Sequence, residues 1–214
     1  MAVGMQIIGS HGVYQVDQTY RNLCKVAKGA LANTISLAGS VSPLMAIRST
    51  DTSGTLVLYI TISGSTYTWN SQPTPSATTY WLFDVPPTSP ATGIGLQIFD
   101  ASGVVVFDTF NEYMKIVGVY TLGYPGSPFT GVTEPTGSAY AYVQTDAGRW
   151  TQAMGNNNTK VGGYAIAMVA VAGGFQMQTY YSTSIIVTGG GGTTAGPIVD
   201  VRQPQVLLLD VTGM

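Results

Sequence analysis

The stretch "GLQIFDASGVVVFD", Gly95 to Asp108, decides how the chain is read. Apolar runs flank a short polar turn, in which Asp100 at the first position and Gly103 at the fourth suit a type I turn closed by a residue of positive φ. A residue without Cβ takes that left-handed conformation at little cost. The stretch is therefore a β-hairpin, and the chain contains a second version of it. "GMQIIGSHGVYQVD", Gly4 to Asp17, aligns with it without a gap at an offset of 91 residues, and the alignment continues to Ala27 and Gly118. Seven positions are identical: Gly4/Gly95, Gln6/Gln97, Ile7/Ile98, Gly12/Gly103, Val13/Val104, Asp17/Asp108 and Val26/Val117. Unrelated stretches of this length would share about two.

Outward from the hairpins, strand signals dominate, as β-branched and aromatic runs broken by Gly, Pro, Ser and Asn. The segment after the first hairpin, "TYRNLCKVAKGALA", has some helical spacing. Its counterpart, "FNEYMKIVGVYTLG", reads as a strand, so both are assigned as strands. "TLVLYITISG" and "STYTWNS" form a further hairpin. "TYWLFDV" is a short strand between proline-rich loops, and proline suits edges and connections. "AYAYVQT" and "GGYAIAMVAVAGGFQMQTYYSTSIIVT" supply three or four more. The expectation is an all-β fold of roughly a dozen strands, with sandwich-like sheets in two repeat-related halves, residues 1–94 and 95–187, and a C-terminal extended arm, 188–214. The arm begins with a flexible glycine linker, "TGGGGTTAGP", and ends in apolar residues that must be covered. Ile198, Val199, Val206, Leu207, Leu208 and Leu209 are expected to dock as an added strand on a neighbouring subunit, with a bend at Pro204.

Composition narrows the function classes. Hydrophobic residues make up 45% of the 214 and charged residues 8%, with a net charge of −2. So few charges leave little to solvate an exposed surface or blunt sheet edges, which points to surface buried between subunits. The basic residues are scattered, whereas phosphate binding needs a concentrated basic face, so nucleic acid is not an expected partner. The single cysteine, Cys24, excludes an intrachain disulfide and a multi-thiolate metal site. The N-terminus lacks a basic start with a long apolar run, and "YAIAMVAVAGGF" is too short to cross a bilayer as a helix. Synthesis in a cytoplasm without membrane insertion is expected.

The residues that could carry chemistry are few. His11 is the sole histidine, lies in the first hairpin turn and aligns with Ser102, so it is read as solvated rather than catalytic. Asp100, Asp108 and Glu112 are close in sequence, but the first is a turn former and the second ends a strand. No phosphate loop or zinc ligand set is present, so no cofactor and no enzymatic activity are expected. Tyr67, Trp69, Tyr80, Trp81, Trp150, Tyr180 and Tyr181 lie in or beside Ser/Thr/Asn-rich segments. Such rings either stack on the apolar faces of sugars or fill a core.

The motif G-[LM]-Q-[IV]-x-[DN]-x-x-G-x-x-x-[FVI]-D resembles hairpins of small virion proteins of tailed bacteriophages and prophages, from the tail-tip and tail-fibre region. The second copy is the closer match, and the resemblance covers two segments of about 25 residues each. It implies a non-enzymatic structural component of a phage tail, located in the virion, whose partners are other tail proteins and copies of itself. The alternative is a receptor- or carbohydrate-binding module of the tail, with a host surface polysaccharide or protein receptor as partner.

Overall fold

In a computed structural model, the structure describes residues 7–8, 14–16, 21–50, 55–71, 77–87, 94–121, 130–134, 136, 138–146, 149–154, 158–171, 174–187, 195–202 and 205–214, and the side chains of 21–50, 60–71, 77–87, 94–121, 134, 136, 138–145 and 205–214. The strands of the first part are β1 (Ile7–Ile8), β2 (Tyr14–Val16), β3 (Cys24–Ala30), β4 (Thr34–Leu37), β5 (Leu44–Ser49), β6 (Thr55–Ser63), β7 (Thr66–Ser71) and β8 (Thr78–Asp84). Those that follow are β9 (Gln97–Phe99), β10 (Val105–Asp108), β11 (Lys115–Thr121), β12 (Thr130–Thr133), β13 (Tyr140–Asp146), β14 (Arg149–Met154), β15 (Asn158–Val171), β16 (Gly174–Val187), β17 (Ala195–Arg202) and β18 (Gln205–Asp210). The chain is all-β: no described residue is helical, and every pairing is antiparallel.

Two large sheets organise the body. One has the order β11-β18-β13-β5-β8-β3, the other β12-β16-β15-β6-β7-β4 with β14 and β17 joined beside β15, and β1-β2 and β9-β10 are separate hairpins. Alternation of side chains across a strand gives the six-stranded sheet two apolar faces. On one face, Met45, Ile47, Leu82, Tyr142, Val206 and Leu208 pack with Trp69, and Ile35, Leu37 and Tyr67 join them, so that β4 and β7 lie over this sheet. The outer side of that ladder carries Ser36 and Thr68, whose hydroxyls are 2.9 Å apart. On the opposite face, Ala46, Trp81, Phe83, Ala141, Val143, Leu209 and Val211 form a second cluster, with Leu23, Met114 and Met214 against it. Burial of each large apolar side chain stabilises the fold by about 1.5–3 kcal/mol, so an inner strand with both faces covered has no polar position to give up.

Strands from before and after residue 94 share both sheets, meeting at β5/β13 and at β6/β15. Arg48 strengthens the first junction by donating from Nη1 to the Tyr140 carbonyl and from Nη2 to Glu134 Oε2, each at 3.1 Å. The pairings on the two sides of residue 94 correspond. In β1/β2, Ile7 faces Val16 and Ile8 faces Tyr14; in β9/β10, Ile98 faces Phe107 and Phe99 faces Val105, the same register under the offset of 91. Under that offset β3 falls on β11 residue for residue. β3 runs against β8 from Cys24/Asp84 to Ala30/Thr79, and β11 against β18 from Lys115/Asp210 to Thr121/Gln205, each with an irregularity after the second pair. The two edge strands also approach each other at their starts, where Cys24 bridges Tyr113, the Lys25 amide donates to the Glu112 carbonyl and the Met114 amide donates to the Leu23 carbonyl, both at 2.8 Å.

The structure differs from the sequence expectation in two places. The segment 205–210 is not an arm on a neighbour but an inner strand between β11 and β13 of the same chain, because its side chains have apolar partners on both faces. Ile198 and Val199 lie in β17, which pairs with β14. The stretch "NTISLAGSVSPLMAIRS", which lies outside the strands expected from sequence, contains β4 and β5, the latter an inner strand of the six-stranded sheet. The expected three or four strands of "AYAYVQT" and the run after it are β13 and the two long strands β15 and β16, of 14 residues each. Pro204 lies outside the described residues.

Candidate functional site

The hairpin β9-β10 is where the repeated residues can be followed atom by atom. The Asp100 side chain builds the turn: Oδ1 accepts from the amides of Ser102 at 2.8 Å and Val104 at 2.9 Å, while its carbonyl accepts from the Gly103 amide at 3.0 Å. Gly103 has φ of +79°, as its place in the turn requires. Gly12, its aligned partner, lies outside the described residues, as does His11. At the other end of the hairpin, Asp108 is 1% exposed. Its Oδ2 accepts from Gln97 Nε2 at 3.0 Å and Oδ1 from the Phe110 amide at 2.9 Å. Gly95 is fixed by space, since a Cβ there would stand 2.9 Å from the Phe110 ring and closer still to Thr109 Oγ1. Gly95, Gln97, Gly103 and Asp108 therefore each have an architectural role in this hairpin.

The three neighbouring carboxylates are not brought together as an acid–base pair. Asp100 holds the turn, Asp108 locks the hairpin base, and Glu112 forms an ion pair with Lys25. Among the described residues no group of three or more His, Cys, Asp or Glu could hold a metal ion. Cys24, 1% exposed, is a buried thiol. Burial, and after it the Asp84 carboxylate, push its pKa up to about 11, so it remains protonated at neutral pH.

Four of the seven candidate ring residues belong to the interior. Trp69 and Trp81 are buried, Tyr80 packs against the first core, and Tyr67 packs there stacked on Trp69 with centroids 6.3 Å apart. Lys28 Nζ lies 5.4 Å from the centroid of the Trp81 ring. The side chains of Trp150, Tyr180 and Tyr181 lie outside those described; their backbones sit in β14 and β16. The Ser/Thr-rich context arises because polar residues alternate with rings across a strand, as in "TYTWNS", where Trp69 turns inward. No described sugar-stacking surface results.

Exposed apolar residues carry no signal in the sequence that sets them apart from core residues. Ile94, Leu96, Phe99 and Phe110 are exposed on and beside the hairpin, and Ile116, Val117 and Val119 on β11. No protein-family model matches the chain, and comparison with curated proteins and with solved structures returned no match.

Proposed function

We propose that the chain is a non-catalytic structural subunit of a bacteriophage tail, built from two copies of one β unit that share their sheets. The observation that carries this reading is the second hairpin. The stretch that resembles tail-tip and tail-fibre proteins folds as a self-contained element, and its repeated residues serve to close it. The matching registers of the two hairpins and of the two edge strands support duplication of a unit. A surface with 8% charged residues over the whole chain and with exposed apolar side chains on the hairpin and on β11 supports a life in contact with other subunits. The sugar-binding alternative draws no support from Tyr67, Trp69, Tyr80 or Trp81, which serve the core.

Disruption of the gene in a phage or inducible prophage tests the proposal. Particles made without the protein are expected to lack complete tails or attachment ends, with heads formed and filled. Normal tails with full infectivity would refute it.

A further inference from the structure

β11 is an edge strand, and beyond its bridged start no described strand occupies its outer side. On it Ile116, Val117 and Val119 are 51, 52 and 62% exposed. An open edge with β-branched apolar side chains is a template for pairing with another strand. The opposite edge of the same sheet supplies the comparison. β3 has the same register against its neighbour as β11 has, but where β11 carries Ile116 and Val119, β3 carries Lys25 and Lys28. Lys25 is paired with Glu112, and Lys28 Nζ donates to the Met214 carbonyl at 2.5 Å beside the Trp81 ring. Lysine on an edge opposes strand addition, because pairing there strips water from an ammonium group. One frame thus appears twice in the molecule, guarded at β3 and open at β11.

We infer that β11 is the surface through which two copies of this chain associate, β11 pairing antiparallel with β11. The occupant follows from charge. No Asp, Glu, Lys or Arg occurs from residue 116 to 133, so self-pairing beyond the bridged start sets uncharged residues, Ile116, Val117 and Val119 among them, against uncharged residues and opposes no like charges. Pairing of β11 with a neighbour's β3 would instead set Lys25 and Lys28 against valine and isoleucine, stripping water from both ammonium groups while the incoming strand supplies no carboxylate. Self-pairing is also isologous and closes at two copies, continuing the six-stranded sheet across the axis. The inference names an interface for the assembly reading above and rests on that reading; it does not depend on which tail substructure is involved.

The test is analytical ultracentrifugation of the full chain over a range of concentration, with the double variant Ile116→Lys/Val119→Lys beside it, which copies the guarded edge onto the open one. The unaltered protein should sediment as a dimer and the variant as a monomer with the same far-UV circular dichroism, the dissociation constant rising by about tenfold or more. A second measurement uses the unaltered protein alone: amide exchange over Val117–Thr121 should slow as concentration rises and the dimer fills. A protein monomeric throughout, a folded variant that still dimerises, or exchange at these amides that ignores concentration would each overturn the β11 interface. The gene disruption is read independently, so loss of this interface and loss of the tail assignment are distinguishable.

Discussion

Asp108 illustrates how a residue of chemical promise becomes one of architecture. A buried carboxylate is costly unless donors surround it, and Gln97 Nε2 and the Phe110 amide supply them at 3.0 and 2.9 Å. Asp108→Ala leaves those donors without an acceptor and should cost about 1–3 kcal/mol in denaturant unfolding. Gly103→Ala should cost about 1 kcal/mol by the same measurement, because an L side chain is strained in the left-handed region. Gly95→Ala should cost more, since its Cβ collides with the Thr109 and Phe110 side chains. Cys24 gives a pH dependence of definite sign. Its folded pKa, raised from 9.0 to about 11, favours the folded state below the ordinary value, and that contribution is lost as pH rises from about 9 through 11. A thiol reagent should therefore leave the native protein unlabelled below about pH 9 and label it fully once urea unfolds it. Rapid native labelling would contradict the buried placement. At this scale Gly95, Gln97, Gly103 and Asp108 were visible as repeated letters, but only the hydrogen bonds and contacts of the second hairpin show what each does there.

Among the elements, β18 carries the clearest consequence. Val206 and Leu208 enter one core and Leu209 and Val211 the other, between β11 and β13. Deletion of residues 205–214 should abolish cooperative unfolding, and Leu209→Ala, at a site with 0% exposure, should cost about 2–5 kcal/mol. A shortened chain that folds and melts cooperatively would contradict this placement. The apolar run "VLLLDV" was legible as needing cover, yet what covers it is set by strands distant in sequence. An arm on a neighbour and an inner strand at home leave the same local signature. β5 was missed for a related reason. "LMAI" does not alternate, since both faces of an inner strand are buried, and without alternation a short apolar run carries no period to read. "TLVLYITIS" was legible because Thr and Ile do alternate there. The rings of Trp69 and Trp81 were ambiguous because a core ring and a sugar-stacking ring sit among the same neighbours in sequence. Burial, which sequence does not record, separates them.

In the whole molecule, residues before and after 94 do not form separate cores, since Met45, Ile47, Trp69 and Leu82 share one cluster with Tyr142, Val206 and Leu208. Residues 1–94 expressed alone should therefore remain unfolded by circular dichroism and recover strand signal when mixed with residues 95–214. Folding of either half by itself would show two independent domains. The low charge, the doubled hairpin and the exposed apolar β11 edge are what support the proposal of a subunit surrounded by others. The most direct measurement of that claim is quantitative mass spectrometry of gradient-purified phage particles and of separated heads and tails. This chain is expected in the tail fraction, in fixed ratio to the other tail proteins. Its absence from purified particles, while it accumulates free in the infected cell, would contradict the account.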